Sequence, residues 1–300
     1  MTLYYIDQGS GLWNDSANWF QDQAGTISNG SIPTGSDDCE INAGNTVDEI
    51  PLSGYNTVIN YGTVTTNNGT ITTNNGDVTT NYDTITTNNG GTVTTNYGTI
   101  TTNNGGTVTD NYDTITTNNG DVTTNYDTIT TNNGTVITNN GGTVTDNYGT
   151  INTSAYDSLV TTNAAGSVIY TNQSTVTTNN GTVDTNNGTV TTNNSTVTTN
   201  QGTVTTNNGT VDTNNNGGTV TTNASGGIVS TNYGTVTTNT SGAAVSSNFD
   251  TVTTNNGTVG LIGNIGGGTG TITATSVFNV ANMTAGTNVT LPSGGAITVW

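Results

Sequence analysis

Along most of this chain a single strongly apolar residue recurs every seven positions, with threonine, asparagine and glycine between. The unit reads Gly-Thr-Val-Thr-Thr-Asn-Asn. It is clear at Gly62-Thr63-Val64-Thr65-Thr66-Asn67-Asn68 and still legible at Thr251-Val252-Thr253-Thr254-Asn255-Asn256. About 27 such units lie between residues 58 and 259, a short fixed period that marks a repeat architecture. The Thr-Val-Thr-Thr segment is β-branched throughout and suits a pleated surface. The Asn-Asn-Gly segment predicts a turn built from residues that tolerate positive φ. A helix is excluded, because glycine and asparagine fill the gaps and no helical apolar face can form.

Side chains alternate along a strand, so the Val or Ile should face inward and the Thr on each side outward. Substitutions agree. The position before the Val becomes Asp77 and Asp121, and the position after it becomes Asp184, Asp212 and Tyr170. Charge there requires a wet site. The second Thr after the Val becomes Asp110 and Asp146, which places it at a corner.

One apolar residue per strand cannot sustain a free-standing hairpin, but it can line a solenoid whose coils stack on like neighbours. Val and Ile alternate through Val64, Ile71, Val78, Ile85, Val93, Ile100, Val108, Ile115, Val122 and Ile129. In that stretch tyrosine follows only the Val units, at Tyr82, Tyr97, Tyr112 and Tyr126, and doubled glycine follows Ile units. The natural coil is therefore two heptads. A triangular three-heptad coil would scatter the tyrosines over different corners, although duplication of a 14-residue unit that is not itself a coil would leave the same pattern. The reading is an all-β protein: a single elongated parallel β-solenoid, two short strands per coil of roughly 14 residues, capped at both ends. About 13 coils at roughly 4.8 Å each would span some 60–65 Å. Val64 should lie on Val78, Ile71 on Ile85, and Tyr97 on Tyr112. The Asn three places after each Val (Asn67, Asn74, Asn81, Asn88 and onward) varies least. It either forms an amide ladder from coil to coil or permits the turn, and both roles can coexist.

Composition sharpens the picture. The chain has 300 residues, no Lys, Arg or His, and a formal charge of −19. Its hydrophobic content of 29% is low and would suggest disorder were the β-patterned repetition not so strict. Without cations, nucleic-acid binding is disfavoured, as is binding to anionic membranes. No apolar run is long enough to span a bilayer. The first residues, Met1-Thr2-Leu3-Tyr4-Tyr5-Ile6-Asp7, have neither the basic region nor the apolar stretch of a conventional secretory signal. An extracellular, cell-surface or virion-associated location therefore implies another export route, a leader already removed, or release with a virion or by lysis. One cysteine, Cys39, allows no internal disulfide.

Residues 1–57 and 260–300 depart from the heptad and read as N- and C-terminal caps around the 58–259 repeat. The first holds Trp13, Trp19, Phe20, Pro33, Pro51 and both glutamates, Glu40 and Glu49. Its segments Trp13-Asn14-Asp15-Ser16-Ala17-Asn18-Trp19 and Pro33-Thr34-Gly35-Ser36-Asp37-Asp38 resemble the lead-in of bacterial surface and phage β-helix proteins. The resemblance covers under a fifth of the chain. It implies a surface or virion-associated β-solenoid and no particular activity. Leu3, Tyr4, Tyr5 and Ile6 at one end, and Ile297, Val299 and Trp300 at the other, have strand character and could couple subunits by strand addition. A head-to-tail homo-oligomer or open filament would follow.

Available chemistry is narrow. Without His, Lys or Arg only carboxylates remain, and a carboxylate glycosidase would have to draw on Asp37, Asp38 and Glu40, or on Asp184 with Asp212. These suit turns and solvated faces better, so the expectation is no enzyme and no cofactor. Asp113 and Asp127 lie one double heptad apart and are the weak calcium candidates, although Gly98 interrupts their row. Two zones are irregular: residues 152–175 lose the frame around Ala155-Tyr156-Asp157-Ser158, and residues 214–250 lengthen several turns. Drift by repeat slippage is the first reading of both. The other is that long turns bind a ligand, which leaves an adhesin or polysaccharide-binding tailspike-like role open. Asn-x-Thr/Ser sequons such as Asn68-Gly69-Thr70 and Asn194-Ser195-Thr196 are by-products of the repeat unless the chain meets a glycosylation machinery. The leading expectation is a structural filament or virion fibre. The other is ice binding, because outward Thr-x-Thr pairs resemble the arrays of β-solenoid antifreeze and ice-nucleating proteins.

Overall fold

Each Thr-Val-Thr-Thr-Asn run forms one short strand, and each strand pairs in parallel with the second strand along rather than the next. The computed structural model describes residues 3–6, 10–22, 24, 26–28, 30–51, 55–261, 264–265, 271–274 and 288–290. The chain divides into two compact units, residues 1–145 and 146–300. Each unit is a parallel β-solenoid with two strands per coil, and the described residues make about 15 coils in all. No α-helix occurs among them.

In the first unit like stacks on like. One wall carries Ile71, Ile85, Ile100, Ile115 and Ile129 in register. The facing wall carries Val64, Val78, Val93, Val108, Val122 and Val136. The coil is thus two heptads, not three. The ladder also runs in front of the repeat, where Asp38–Ile41 pairs with Thr57–Asn60 and Thr46–Ile50 with Thr63–Asn67. The second unit has the same construction. Val160, Val176, Val190, Val204, Val220, Val236 and Val252 form one row. Ile169, Val183, Val197, Val211, Val229 and Val245 form the other.

Strict alternation does not survive to the end of each strand. The Val or Ile and the Asn three places later are both fully buried, while the two Thr between them are not. The chain therefore bends at the second Thr, the corner position. The bend brings the asparagine carboxamide into the core, where it must be fully hydrogen-bonded. Asn74 shows how. Its Nδ2 donates to Asn88 Oδ1 of the next coil at 2.7 Å and to its own turn's Gly76 carbonyl at 2.8 Å. Its Oδ1 accepts from Asn60 at 2.7 Å. The same links run from Asn67 through Asn81, Asn96, Asn111 and Asn125 to Asn139. In the second unit a ladder runs from Asn163 through Asn179, Asn193, Asn207, Asn223 and Asn239 to Asn255. Asparagine is both ladder and turn anchor: its Oδ1 also takes the turn N–H in places, as from Gly62 to Asn60 at 3.0 Å.

The expected positive φ of the turns needs correction. Within the repeat, the only glycines at positive φ are the extra ones of lengthened turns, among them Gly90, Gly105, Gly141 and Gly217. In the shortest turns the glycine serves close approach instead. A Cβ built on Gly134 would lie 2.0 Å from the Gly120 carbonyl oxygen of the coil beneath. The approach is not absolute, since Asp83, Asp113, Ser174 and Ser195 occupy equivalent slots. Turn insertions leave the register intact, so successive ladder asparagines are separated by 14 residues at Asn60–Asn74 and 18 at Asn214–Asn232.

The N-terminal segment adds its own strands to the first unit. Leu3–Ile6 pairs in parallel with Asp38–Ile41 and antiparallel with Trp19–Phe20. Trp13 and Trp19 are buried edge to face, with ring centroids 4.7 Å apart. Trp19 Nε1 donates to the Trp13 carbonyl and Trp13 Nε1 to the Tyr55 hydroxyl. Asp15 caps the short 3₁₀ turn Ser16–Asn18, Asn18 Nδ2 donates to the Leu12 carbonyl, and Asp37 accepts from the Thr34 N–H and hydroxyl. The residues quoted for the lead-in are therefore those that tie this segment together.

Candidate functional site

The core-row residues Val64, Ile71, Val78, Ile85, Val93 and Ile100, with Asn67, Asn74, Asn81 and Asn88, are fully buried. They hold the coils together, so any ligand meets the outward positions. Sorted by wall, those positions are unequal. In the first unit the Ile strands present Thr70/Thr72, Thr84/Thr86, Thr99/Thr101, Thr114/Thr116 and Thr128/Thr130, after a start of the same sheet that carries Asp38 and Thr57/Ile59. The facing wall carries Asp77, Asp121 and Ile137, with Asp110 at its corner. In the second unit one wall opens with Leu159/Thr161 and then presents Thr175/Thr177, Thr189/Thr191, Thr203/Thr205, Thr219/Thr221, Thr235/Thr237 and Thr251/Thr253. Its partner wall carries Asn152, Tyr170, Asp184, Asp212, Ile228, Ser230, Ala244 and Ser246. From Ile71 to Ile129, and again from Val176 to Val252, one wall is thus uncharged and carries paired threonines, and the other is mixed. The pairs repeat at about 4.8 Å between coils and about 6.7 Å along a strand. Sequence reading placed Thr on both walls alike. The signal was there, in alternate heptads once the two-heptad coil is assumed.

Beside the mixed wall of the first unit stands a column of rings. Tyr82, Tyr97, Tyr112 and Tyr126 stack with centroids 5.4, 5.0 and 4.6 Å apart and are partly exposed. Desolvation, then Tyr126, Asp110 and Tyr97, push the Tyr112 phenol above its ordinary range. Ring faces inside the column cover one another, so only edges and hydroxyls meet solvent.

The carboxylates are dispersed. Asp37 is taken up by Thr34, Asp38 accepts from Asn56, and Glu40 is buried in its strand. Asp184 and Asp212 lie two coils apart with Thr198 between them, about 9.6 Å by coil spacing. The Thr198 hydroxyl lies 3.5 Å from Asp184. Asp113 and Asp127 each accept from the next threonine's hydroxyl. No group of three or more potential metal-binding side chains occurs among the described residues. Cys39 is buried; desolvation first, then Asp37 and Asp38, push its thiol well above the usual range. No described helix is long and apolar enough to cross a membrane. Of the coupling residues, Tyr5 and Ile6 have neighbours on both edges, whereas Leu3 and Tyr4 are paired on the Asp38–Ile41 side. Ile297, Val299 and Trp300 lie outside the described residues. No family model matches the chain, and neither the curated proteins nor the solved structures include a match.

Proposed function

We propose that this chain is a non-enzymatic structural protein, a β-solenoid element of an extracellular filament or virion appendage that self-associates head to tail. The observation that supports the reading is the use of every inward position. Two apolar rows and buried amide ladders run through each unit, and the carboxylates are scattered over turns and open walls. Such a chain invests in stacking rather than in a catalytic pocket. Negative-stain microscopy of the purified protein tests it. Filaments or end-joined particles support the reading, and a dispersed monomer at every concentration up to the solubility limit removes self-association.

A second reading, ice binding, is favoured by the one-sided threonine walls. Many weak, identical groups on a flat grid gain affinity only against a partner that is itself flat and periodic. An uncharged wall of hydroxyls and methyls fits such a partner. Thermal hysteresis tests it by wall. Thr205→Lys on the threonine wall should abolish the activity, while Thr198→Lys on the mixed wall of the same unit should leave it nearly unchanged. Equal effects, or rounded ice growth with the intact protein, remove this reading.

A further inference from the structure

In the second unit lengthened turns interrupt both corner columns, and one of them opens a cleft. The mixed-wall strands Thr196–Asn200, Thr210–Asn214, Ile228–Asn232 and Ala244–Asn248 are followed by the turns Gln201-Gly202, Asn215-Asn216-Gly217-Gly218, Tyr233-Gly234 and Phe249-Asp250. The second turn spans residues 215–218 where its neighbours need only two residues. It can do so because Gly217 adopts φ +88°. The protruding turn stands between Gln201 on one side and Tyr233 on the other. Beside it opens a cleft of about 510 Å³ lined by Gln201, Asn215, Asn216 and Tyr233.

Three properties of this cleft set it apart. First, Tyr233 is backed by Phe249, with centroids 4.8 Å apart and planes 14° apart. Phe249 covers one face of the ring, and Tyr233 also lines the cleft. In the four-tyrosine column of the first unit the interior rings are covered on both faces. Second, the side-chain amides of Gln201, Asn215 and Asn216 bond to nothing else among the described residues. At the opposite corner of the same unit Asn194 donates to Asn180 and Asn208 to Asn194, each at 2.9 Å. The cleft therefore keeps donors and acceptors that the opposite corner consumes. Third, no charged side chain lines it.

We propose that this cleft binds a neutral pyranose oligosaccharide. A pyranose offers an apolar C–H face that packs on an aromatic ring, here the partly exposed Tyr233. Its hydroxyls both donate and accept, and so do carboxamides, here Gln201, Asn215 and Asn216. The volume lies within the roughly 300–1,000 Å³ typical of small-molecule sites, but the cleft is shallow, so affinity falls in the high-micromolar to millimolar range. An anionic glycan is disfavoured, because the chain carries −19 and no Lys or Arg to receive it. The site is independent of the structural and ice-binding readings, since it lies in the turns and uses neither the core rows nor the threonine wall.

The test uses the full chain with cellohexaose, chitohexaose and maltohexaose as separate probes, read by titration calorimetry and saturation-transfer NMR. The three arms separate β-glucan, N-acetylhexosamine and α-glucan chemistry. At least one probe should bind, with saturation passing to its ring C–H protons. Tyr233→Ala should weaken that binding at least about tenfold and Asn216→Ala about three- to tenfold, with far-UV circular dichroism unchanged. Tyr112→Ala, in the other unit, should have no effect. If Tyr233→Ala fails to fold, Asn216→Ala on the exposed turn decides alone. Absence of binding by all three probes overturns the proposal, as does binding that survives the cleft substitutions unchanged.

Discussion

At the residue scale the ladder asparagine carries the fold. Asn103 donates to Asn118 and to the Gly106 carbonyl, and accepts from Asn88. Asn103→Ala would leave the buried Asn118 Oδ1 without its donor, at a cost of about 1–3 kcal/mol. It would also remove one bond each from Asn88 Nδ2, which keeps the Gly91 carbonyl, and from the Gly106 carbonyl, which keeps the Asp121 N–H, at about 0.5–1.5 kcal/mol each. We predict a loss of roughly 3–5 kcal/mol in urea unfolding, against under ~1 kcal/mol for Asn104→Ala, whose corner amide donates to Asn89 in solvent. Equal losses would mean that the inner row is not special. The chain holds its own interruption of the row. Ser154 replaces the asparagine, its hydroxyl pairs with Ser158 at 2.8 Å, and Ser158 donates to the Ala155 carbonyl. The adjoining Asp157 has φ 62°, the only positive value at a non-glycine among the described residues. Cys39 supplies a pH prediction. Burial raises its folded pKa above the unfolded value of about 8.5, so its contribution is fully present below that pH. Stability should fall as pH rises beyond it, because only the unfolded chain then gains by ionising. Cys39→Ser should flatten that alkaline slope.

At the scale of strand and turn, register is fixed where length is not. Two-residue and four-residue turns coexist in one column, as Asn208-Gly209 beside Ala224-Ser225-Gly226-Gly227. Inserting Gly-Gly after Asn208 should cost under ~1 kcal/mol, because loop closure depends weakly on length. A single glycine inserted between Val204 and Thr205 shifts the strand by one position, turns its apolar residue outward and should unfold the second unit. Similar effects from both insertions, in thermal melts, would contradict the row structure. Much of this was legible in the sequence. The Val/Ile alternation and the tyrosines gave the two-heptad coil, and Asp110 marked the corner. The burial of asparagine was only half legible, since alternation alone would turn a residue three places after Val outward; the bend that reverses this is a backbone property of the stacked coil. The shortest turns misled for a similar reason. Glycine there answers the coil beneath it, as Gly134 answers Gly120, and no local pattern reports a neighbour 14 residues away.

At the scale of the whole chain, function follows from what the coils leave outside. The lead-in segment uses the N-terminal strand internally, between Asp38–Ile41 and Trp19–Phe20. Deleting residues 1–8 should therefore loosen the Trp13–Trp19 pair and shift tryptophan emission to the red while the far-UV signal of the coils persists. Unchanged emission would show that this strand does not support that pair. A chain with −19 and no cations repels its copies, so head-to-tail assembly should strengthen from 10 mM to 0.5 M salt as screening shortens the repulsion. Assembly that weakens with salt would point to charge pairing that the sequence does not offer. All of these expectations rest on the two-heptad coil, and one disulfide experiment tests it most directly. In-register parallel strands hold stacked residues about 4.8 Å apart at Cα, within the roughly 4.4–6.8 Å that a disulfide needs. Tyr97 stacks on Tyr112, whereas Asn119, three heptads along, belongs to the opposite corner. The double substitution Tyr97→Cys with Tyr112→Cys should oxidise rapidly to an intrachain disulfide, and Tyr97→Cys with Asn119→Cys should stay reduced. The reverse outcome would establish a three-sided coil and contradict the architecture from which every other statement descends.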